Sequence, residues 1–181
     1  MDVADLNKVL GNIDLHLLDQ LLKNRFENSG PLLDVGCGDG RNLHYFLATG
    51  FECHIVDPDP SALKMVTMLS GTLGNPIPPE HAHAMLQDVK SDFQSILCIN
   101  VMQHLQSHEN LKSMLAMLFS KLKQGGVLFL KIGFGSSSGI QIERKQFVQW
   151  ISNTGFDILE PMRTEEIDGL GKWISMMLTR S

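Results

Sequence analysis

The sequence predicts an α/β protein in which a mostly parallel sheet carries helices on both faces. Short, continuously apolar segments alternate along the chain with amphipathic segments of ten or more residues. Apolar segments of this kind are typical of parallel strands that are buried on both sides, and the amphipathic segments supply the crossover helices. Clusters of glycine and proline separate the two kinds of segment, as connecting loops require.

The beginning of the chain predicts a long helix followed by a strand, a loop and a second helix. Leucine, valine and isoleucine recur at three- and four-residue steps over residues 5–26, which indicates an amphipathic helix. Residues 32–35 form the first predicted strand, and residues 36–40 form a glycine-rich loop. A helix over residues 42–49 follows directly, so the loop joins the end of a strand to the start of a helix.

The same pattern of strand and helix then repeats. Residues 52–56 predict a second strand, and Asp59 with Pro60 supplies an N-cap and a proline at the first helical position. A weak third strand is expected at residues 82–86, and a clearly buried fourth strand at residues 95–100. This alternation is what a parallel sheet with crossover helices requires.

The remaining segments complete the predicted sheet. Residues 107–122 predict a helix whose first residue, Ser107, can serve as the N-cap. Residues 127–130 predict the most hydrophobic strand of the chain. A helix is expected over residues 144–153. Residues 156–159 and 172–179 then predict two closing strands.

Length and composition indicate one folded domain over residues 1–181, with the N-terminal helix in residues 1–30 and the sheet in residues 31–181. One hydrophobic core usually serves a chain of 181 residues. With 43% apolar and 19% charged residues, the chain lacks the composition of a disordered protein. The net charge of −5, without a run of lysine or arginine, disfavours nucleic acid as a partner.

The cysteines and the apolar segments predict a cytoplasmic protein without a membrane anchor. The three cysteines have no C-x-x-C spacing, so neither a disulfide framework nor a cysteine zinc site is indicated. Cys98 lies within an apolar strand and is expected to be a core residue. The N-terminal segment lacks the pattern of a secretion signal, and no apolar run has the length of a membrane span.

The glycine-rich loop is the first candidate for a binding site. Its sequence, D-V-G-C-G-D-G over residues 34–40, places glycines where a backbone must turn tightly and lie close to a ligand. The spacing is G-x-G-x-G, and Arg41 stands where the third glycine of the dinucleotide-binding pattern would be. The loop therefore predicts a ligand site but disfavours a nicotinamide cofactor.

Asp57 is the second candidate, because it closes the second predicted strand. A carboxylate at this position can accept hydrogen bonds from both hydroxyls of a ribose. The alternative is that Asp57 only opens the turn over residues 57–60. Together with the glycine loop, the position favours ribose binding.

At these residues the sequence resembles the class I S-adenosylmethionine-dependent methyltransferases. Residues 32–40 look like the first motif of that family, and residues 56–57 look like its ribose-binding acid. Residues 95–105 are similar to its fourth-strand segment and residues 122–128 to its turn into strand five. Residues 38–42 are especially similar to small-molecule methyltransferases of the tellurite-resistance type. The resemblance implies a Rossmann-like, seven-stranded sheet in the order 3-2-1-4-5-7-6, with strand seven antiparallel.

The resemblance also implies S-adenosyl-L-methionine as cofactor and S-adenosyl-L-homocysteine as product. The cofactor-binding residues that it implies are Asp34, Gly36, Cys37, Gly38, Gly40, Asp57, Pro58, Asp88, Asn100 and Val101. Asp34 and the loop would face the methionine part, Asp57 the ribose and Asp88 the adenine amine. Asp88 is equally compatible with an ordinary loop acid. Asn100 and Val101 would lie beside the reactive methyl group.

Few catalytic side chains are compulsory, because a sulfonium already activates its methyl group and orientation alone contributes about 7 to 11 kcal/mol. His104 is the candidate general base, although it is equally suited to close the turn before the next helix. The pairs His104 with His108 and His81 with His83 lack a third ligand of evident spacing. They are interpreted as solvated side chains, and no metal site is predicted.

The predicted acceptor is a small molecule. Relatives that methylate base or glutamine amines carry Asn or Asp, two prolines and an aromatic residue after strand four, whereas residues 100–103 here are N-V-M-Q. The sequence predicts no membrane partner and leaves the oligomeric state open. Two alternatives to the enzyme remain: a methyltransferase-like protein that binds cofactor or a partner without catalysis, and an NAD-dependent dehydrogenase.

Overall fold

The computed structural model of the protein describes residues 6, 9–90, 92–134, 142–160, 162–167 and 171–181. The chain divides into two compact units, residues 1–91 and residues 92–181, which we call unit 1 and unit 2. The expectation of one domain over residues 1–181 stays a prediction.

Unit 1 contains a parallel sheet flanked by helices. Its elements are helix α1 (Leu15–Leu22), strand β1 (Leu32–Val35), helix α2 (His44–Ala48), strand β2 (Cys53–Val56), helix α3 (Pro60–Thr72) and strand β3 (Ala82–His83). The strands lie in the order β3-β2-β1, with Leu32 opposite Cys53 and Ile55 opposite Ala82. All residues of β1 and β2 are buried, as is expected for inner strands of a parallel sheet, and they include the polar residues Asp34 and His54.

The helix ends in unit 1 follow local capping signals. Asp59 accepts a hydrogen bond from the Ser61 N–H at 2.8 Å, which confirms the predicted N-cap of α3. The helix predicted over residues 5–26 is shorter than expected. Gly11, with φ of 58°, lies in a turn, and the side chain of Asp14 caps a new helix that begins at Leu15.

Unit 2 contains a mixed sheet. Its elements are strand β4 (Phe93–Ile99), helix α4 (His108–Lys121), strand β5 (Leu122–Phe134), helix α5 (Arg144–Thr154) and strands β6 (Asp157–Ile158), β7 (Arg163–Ile167) and β8 (Gly171–Thr179). β4 and β5 pair in parallel, and β8 lies antiparallel between β5 and β6. β7 pairs with β8 outside this order. Ser107 caps α4 as predicted, by accepting from the Asn110 N–H at 3.1 Å.

The predicted α/β fold with a mostly parallel sheet is confirmed. The order in unit 1 is the predicted 3-2-1, and β8 takes the antiparallel place of the predicted seventh strand in the series 4-5-7-6. β7 is an additional strand that the sequence did not predict. Its sequence, R-T-E-E-I, carries mostly polar residues, so it lacks the apolar pattern of a buried strand.

Candidate functional site

The glycine loop leaves β1 in unit 1 and presents a bare stretch of backbone. Gly38 has a φ of 51° and is exposed, and a Cβ atom built there would meet no heavy atom within 4 Å. Gly40 is different, because a Cβ atom there would lie 2.9 Å from Val66 Cγ2 and 3.2 Å from Leu69 Cδ2 of α3. Gly38 therefore leaves room for a ligand, whereas Gly40 lets α3 pack against the loop.

Hydrogen bonds fix the loop against the end of β2. The N–H groups of Gly36 and Cys37 donate to the Val56 carbonyl at 2.7 and 3.2 Å, and the Gly40 N–H donates to the Cys37 carbonyl at 2.8 Å. The shape of the loop is therefore set by the protein backbone before any ligand binds.

Asp57 faces the glycine loop. Its Oδ2 accepts from the Gly38 N–H at 3.0 Å, and its Oδ1 accepts from the Asp59 N–H at 2.9 Å. The side chain thus both organises the turn and lies against the loop, so the two interpretations of Asp57 describe one arrangement. A carboxylate oxygen can accept a second hydrogen bond, and this residue is only half-buried.

The carboxyl group of Asp34, in the strand that leads into the glycine loop, has a strongly shifted pKa. The pKa of Asp34 is raised from 3.8 to about 7, first by burial and then by the charge of Asp57, with a smaller contribution from Asp39 and an opposing one from Arg41. A cation near Asp34 would favour the ionised form of its carboxyl group and would in turn be attracted by it. The electrostatics at this end of β1 therefore suit a cationic ligand.

The Cys37 sulfur is unsuited to nucleophilic chemistry. Burial, followed by the charges of Asp34 and Asp57, raises the pKa of this thiol well above its ordinary range. A thiol that stays protonated is a poor nucleophile and a poor metal ligand. What Cys37 offers is its backbone, which shapes the loop.

Two further predicted residues of unit 1 lie in turns after the strands. Pro58 is exposed and directly follows Asp57. Asp88 is also exposed and ends a single 3₁₀ turn, Leu86–Asp88, that follows β3. The exposure of Asp88 is compatible with both a ligand contact and an ordinary loop acid.

The predicted residues of unit 2 gather after β4. Asn100 has the left-handed φ of 59°, which is uncommon outside glycine, and its Oδ1 is buried without a hydrogen-bond partner among the described residues. Val101 is half-buried, and His104 is exposed at the end of the 3₁₀ turn Met102–His104. His108 is the first residue of α4, so His104 and His108 do not lie on one helix. The ring of His108 packs against Trp150.

Sequence reasoning missed two polar residues that position the site in unit 1. Asp14 and Asn42 are both buried, and the Asp14 N–H donates to Asn42 Oδ1 at 3.0 Å. This hydrogen bond ties the start of α1 to the segment that follows the glycine loop. The aspartate before a helical pattern was a signal for an N-cap, but its partner, 28 residues away in sequence, had no signal at all.

Comparison with known proteins decides the family. A family model described as a methyltransferase domain matches residues 9–158, which is most of the chain. The chain belongs to this methyltransferase family. The predicted resemblance to S-adenosylmethionine-dependent methyltransferases, and with it the prediction of an enzyme, is therefore confirmed. A comparison with curated protein sequences gives no match.

Solved structures share the fold of the methyltransferase at low sequence identity. TehB from Haemophilus influenzae is 16% identical over 93% of this chain and 63% of that one, with a TM-score of 0.75. Magnesium protoporphyrin IX methyltransferase from Synechocystis, crystallised with bound SAH, is 13% identical over 100% and 89%, with a TM-score of 0.76. An S-adenosylmethionine-dependent methyltransferase from Clostridium acetobutylicum is 13% identical over 97% and 96%, with a TM-score of 0.72.

These likenesses confirm the predicted Rossmann-like methyltransferase fold. Within the described part of the methyltransferase, none of the helices is long and apolar enough to cross a membrane.

Proposed function

We propose that this methyltransferase transfers a methyl group from S-adenosyl-L-methionine to a small-molecule acceptor by in-line displacement, with S-adenosyl-L-homocysteine as product. The bound cofactor supplies a methyl group that a positively charged sulfur has already activated. The observation that carries the proposal is the bare backbone at Gly38 beside the half-buried carboxylate of Asp57.

The residues of unit 1 fit the chemical groups of this cofactor. Asp57 is held against the loop by the Gly38 N–H on Oδ2 and in its own turn by the Asp59 N–H on Oδ1, and both oxygens retain lone pairs for the two ribose hydroxyls. Asp34, whose pKa lies at about 7, would become ionised near a sulfonium and then attract it. Gly36 and Cys37 hold the loop in place through their N–H groups, and Gly40 lets α3 pack behind it.

Asp88 and Pro58 complete the proposed cofactor set in unit 1. The exposed carboxylate of Asp88 suits the adenine amine, because an ionised carboxylate accepts hydrogen bonds from an amino group. Pro58 follows the ribose-binding acid and offers an apolar surface without a competing N–H. Both residues are assigned to cofactor binding by the family resemblance, and the exposure of both side chains supports the assignment.

The residues after β4 are proposed to serve the acceptor. Asn100 and Val101 would lie beside the methyl group, and the exposed imidazole of His104 would accept a proton if the acceptor enters protonated. Two amide oxygens, Asn100 Oδ1 and Gln103 Oε1, are buried without partners in the part of the chain that the structure describes. A buried acceptor atom without a donor is costly, so an acceptor molecule with a hydroxyl or amine group suits this region.

Several observations favour a small molecule as the acceptor. Among proteins of similar fold, one is named for magnesium protoporphyrin IX and another is a glycopeptide N-methyltransferase. The net charge of −5 without clustered lysine or arginine disfavours nucleic acid. The three cysteines are buried and form no disulfide bond with the described residues, which supports the proposed cytoplasmic location.

Calorimetry and mass spectrometry test the proposal. S-adenosylmethionine and S-adenosylhomocysteine should each bind with a stoichiometry of one, whereas NAD should not bind. Incubation with S-adenosylmethionine and a panel of small hydroxylated and amine-bearing compounds should then yield a product heavier by one methylene unit. Tight cofactor binding without any methylated product would favour the non-catalytic alternative. Preference for NAD would overturn the proposal.

A further inference from the structure

A second cluster of ionisable side chains lies at the opposite end of β2 from Asp57. Glu52 immediately precedes β2, and His54 is its second residue. His81 immediately precedes β3, which pairs with β2 so that Ile55 lies opposite Ala82. Side chains alternate along a strand, and opposite residues share a face. Glu52, His54 and His81 therefore project from the same face of the sheet.

The distances within this cluster are close to those of a metal site. Glu52 Oε1 lies 3.2 Å from His54 Nε2 and 4.0 Å from His81 Nε2. All three donor atoms lie within 4.8 Å of one another. Ligand atoms around a tetrahedral zinc ion with bonds of 2.0 to 2.1 Å are about 3.4 Å apart. The separations within the cluster are therefore close to those of a zinc ligand set, although the ring orientations are not yet those of one.

One ring rotation is needed for both imidazoles to bind the same ion. The rings of His54 and His81 stack with centroids 3.6 Å apart and planes 18° apart. A ring nitrogen binds a metal through a lone pair in the ring plane, so two stacked rings cannot both point at one ion. His54 is buried, whereas His81 is partly exposed, so His81 is the ring that can rotate.

The backbone that carries His81 is already fixed. The His81 N–H donates to the Pro78 carbonyl at 2.9 Å, and Pro78 and Pro79 restrict the turn. The preceding loop is held by Asn75 Nδ2, which donates to the Phe51 carbonyl at 2.8 Å. Only the side chain has to move, and a preorganised backbone reduces the entropy lost on binding.

The second ring nitrogen of His81 leaves this ring able to turn. His81 Nδ1 is buried and makes no hydrogen bond to the described residues, so no such contact holds the ring in its stacked position.

We propose that Glu52, His54 and His81 bind one divalent transition-metal ion, for which Zn²⁺ is the best match. Two imidazoles and one carboxylate form a set that leaves a fourth position open in zinc proteins. A cleft of about 240 Å³, lined in part by Glu52 and His81, lies beside the cluster. The proposal is independent of the proposed methyl transfer, because it involves neither the glycine loop nor Asp57.

Metal titration of the full chain, without a polyhistidine tag, tests the site. The protein is treated with chelator, dialysed and titrated with Zn²⁺ by calorimetry, and should bind one equivalent. Glu52→Gln and His81→Gln should each weaken binding at least about tenfold, since even indirect partners of a metal cost 10- to 100-fold when removed. Both side chains are partly exposed, so folding should survive, and thermal melting without metal checks it. His83→Gln is the matched control and should change affinity less than about twofold.

Cobalt absorption separates this site from cysteine binding. Co²⁺ bound to nitrogen and oxygen ligands should give visible bands without the near-ultraviolet thiolate band, and Zn²⁺ should displace it. Failure to bind one equivalent of either ion would overturn the proposal. So would a thiolate band, unchanged affinity in Glu52→Gln and His81→Gln, or loss of binding in His83→Gln alone.

Discussion

Replacing Asp34 by asparagine should make the protein more stable at alkaline pH. Asp34 is 3% exposed, and its pKa is raised to about 7, first by burial and then by the charge of Asp57. Ionising this side chain in the folded protein therefore costs free energy that the unfolded chain does not incur. Asparagine has nearly the same shape and cannot ionise, so the variant avoids that cost.

The size of the expected stability difference follows from the shift in the pKa of Asp34. A pKa of about 7 in the folded protein, against 3.8 in the unfolded chain, corresponds to about 4 kcal/mol at 1.36 kcal/mol per unit. The folded protein binds this proton more tightly, so stability falls as pH rises between about 4 and 7 and is lowest above that range. Wild-type protein and Asp34→Asn should thus have similar stability near pH 4. At pH 8 the variant should be more stable by up to about 4 kcal/mol.

Urea unfolding at pH 4.5, 6 and 8 measures this difference. Subtracting the variant from the wild type at each pH removes the contribution of histidines and other groups that titrate in the same range. A parallel pH dependence of the two proteins would refute the assigned pKa. Calorimetry in buffers of different ionisation enthalpy adds a second measurement, because binding of a sulfonium near pH 6 should release a proton from the wild type but not from Asp34→Asn.

Three substitutions around the glycine loop give contrasting outcomes. Gly38→Ala places a methyl group in the open space beside the loop and should weaken S-adenosylmethionine binding at least tenfold, as measured by calorimetry. Gly74→Ala is the control, because Gly74 has a similarly open left-handed position. Both variants should cost about 1–2 kcal/mol of backbone strain, but Gly74→Ala should leave binding unchanged. Asp57→Asn should weaken cofactor binding by about 10- to 100-fold, since a charged hydrogen bond contributes about 1.5–3 kcal/mol; wild-type affinity would remove Asp57 from the site. Gly40→Ala should lower the free energy of unfolding by about 1–3 kcal/mol in urea, because its Cβ would meet Val66 at 2.9 Å, and unchanged stability would contradict this packing role.

The parts of the fold that could be predicted from the sequence are those set by local chemistry. The apolar segments at β1 and β2 are buried as expected, and the capping residues Asp59 and Ser107 accept the hydrogen bonds that their positions imply. These signals act within a few residues of the chain. The sheet order came instead from the family resemblance, since pairing between distant strands leaves no local signal.

The sequence did not predict the break in the N-terminal helix, which occurs at a single glycine, or strand β7, whose residues are mostly polar. The periodic apolar pattern over residues 5–26 continues through Gly11, but a left-handed turn at that glycine interrupts the helix. Periodicity records which side faces the core and does not reveal a break between two helical segments. β7 escaped notice for the converse reason, because a strand with mainly polar residues shows no apolar period.

The two ends of β2 show why one candidate site was evident from the sequence and the other was not. Asp57 follows the strand, and its partner loop follows the adjacent strand, so a strand-end rule locates both. No such rule locates Glu52, His54 and His81. Helix α3 and a loop separate the two histidines along the chain, and the length of that segment does not show whether the histidines are in contact. The signal was present as two short alternations, E-C-H at residues 52–54 and H-A-H at residues 81–83. It became a cluster only through the register of β2 and β3, which brings residues of one face together.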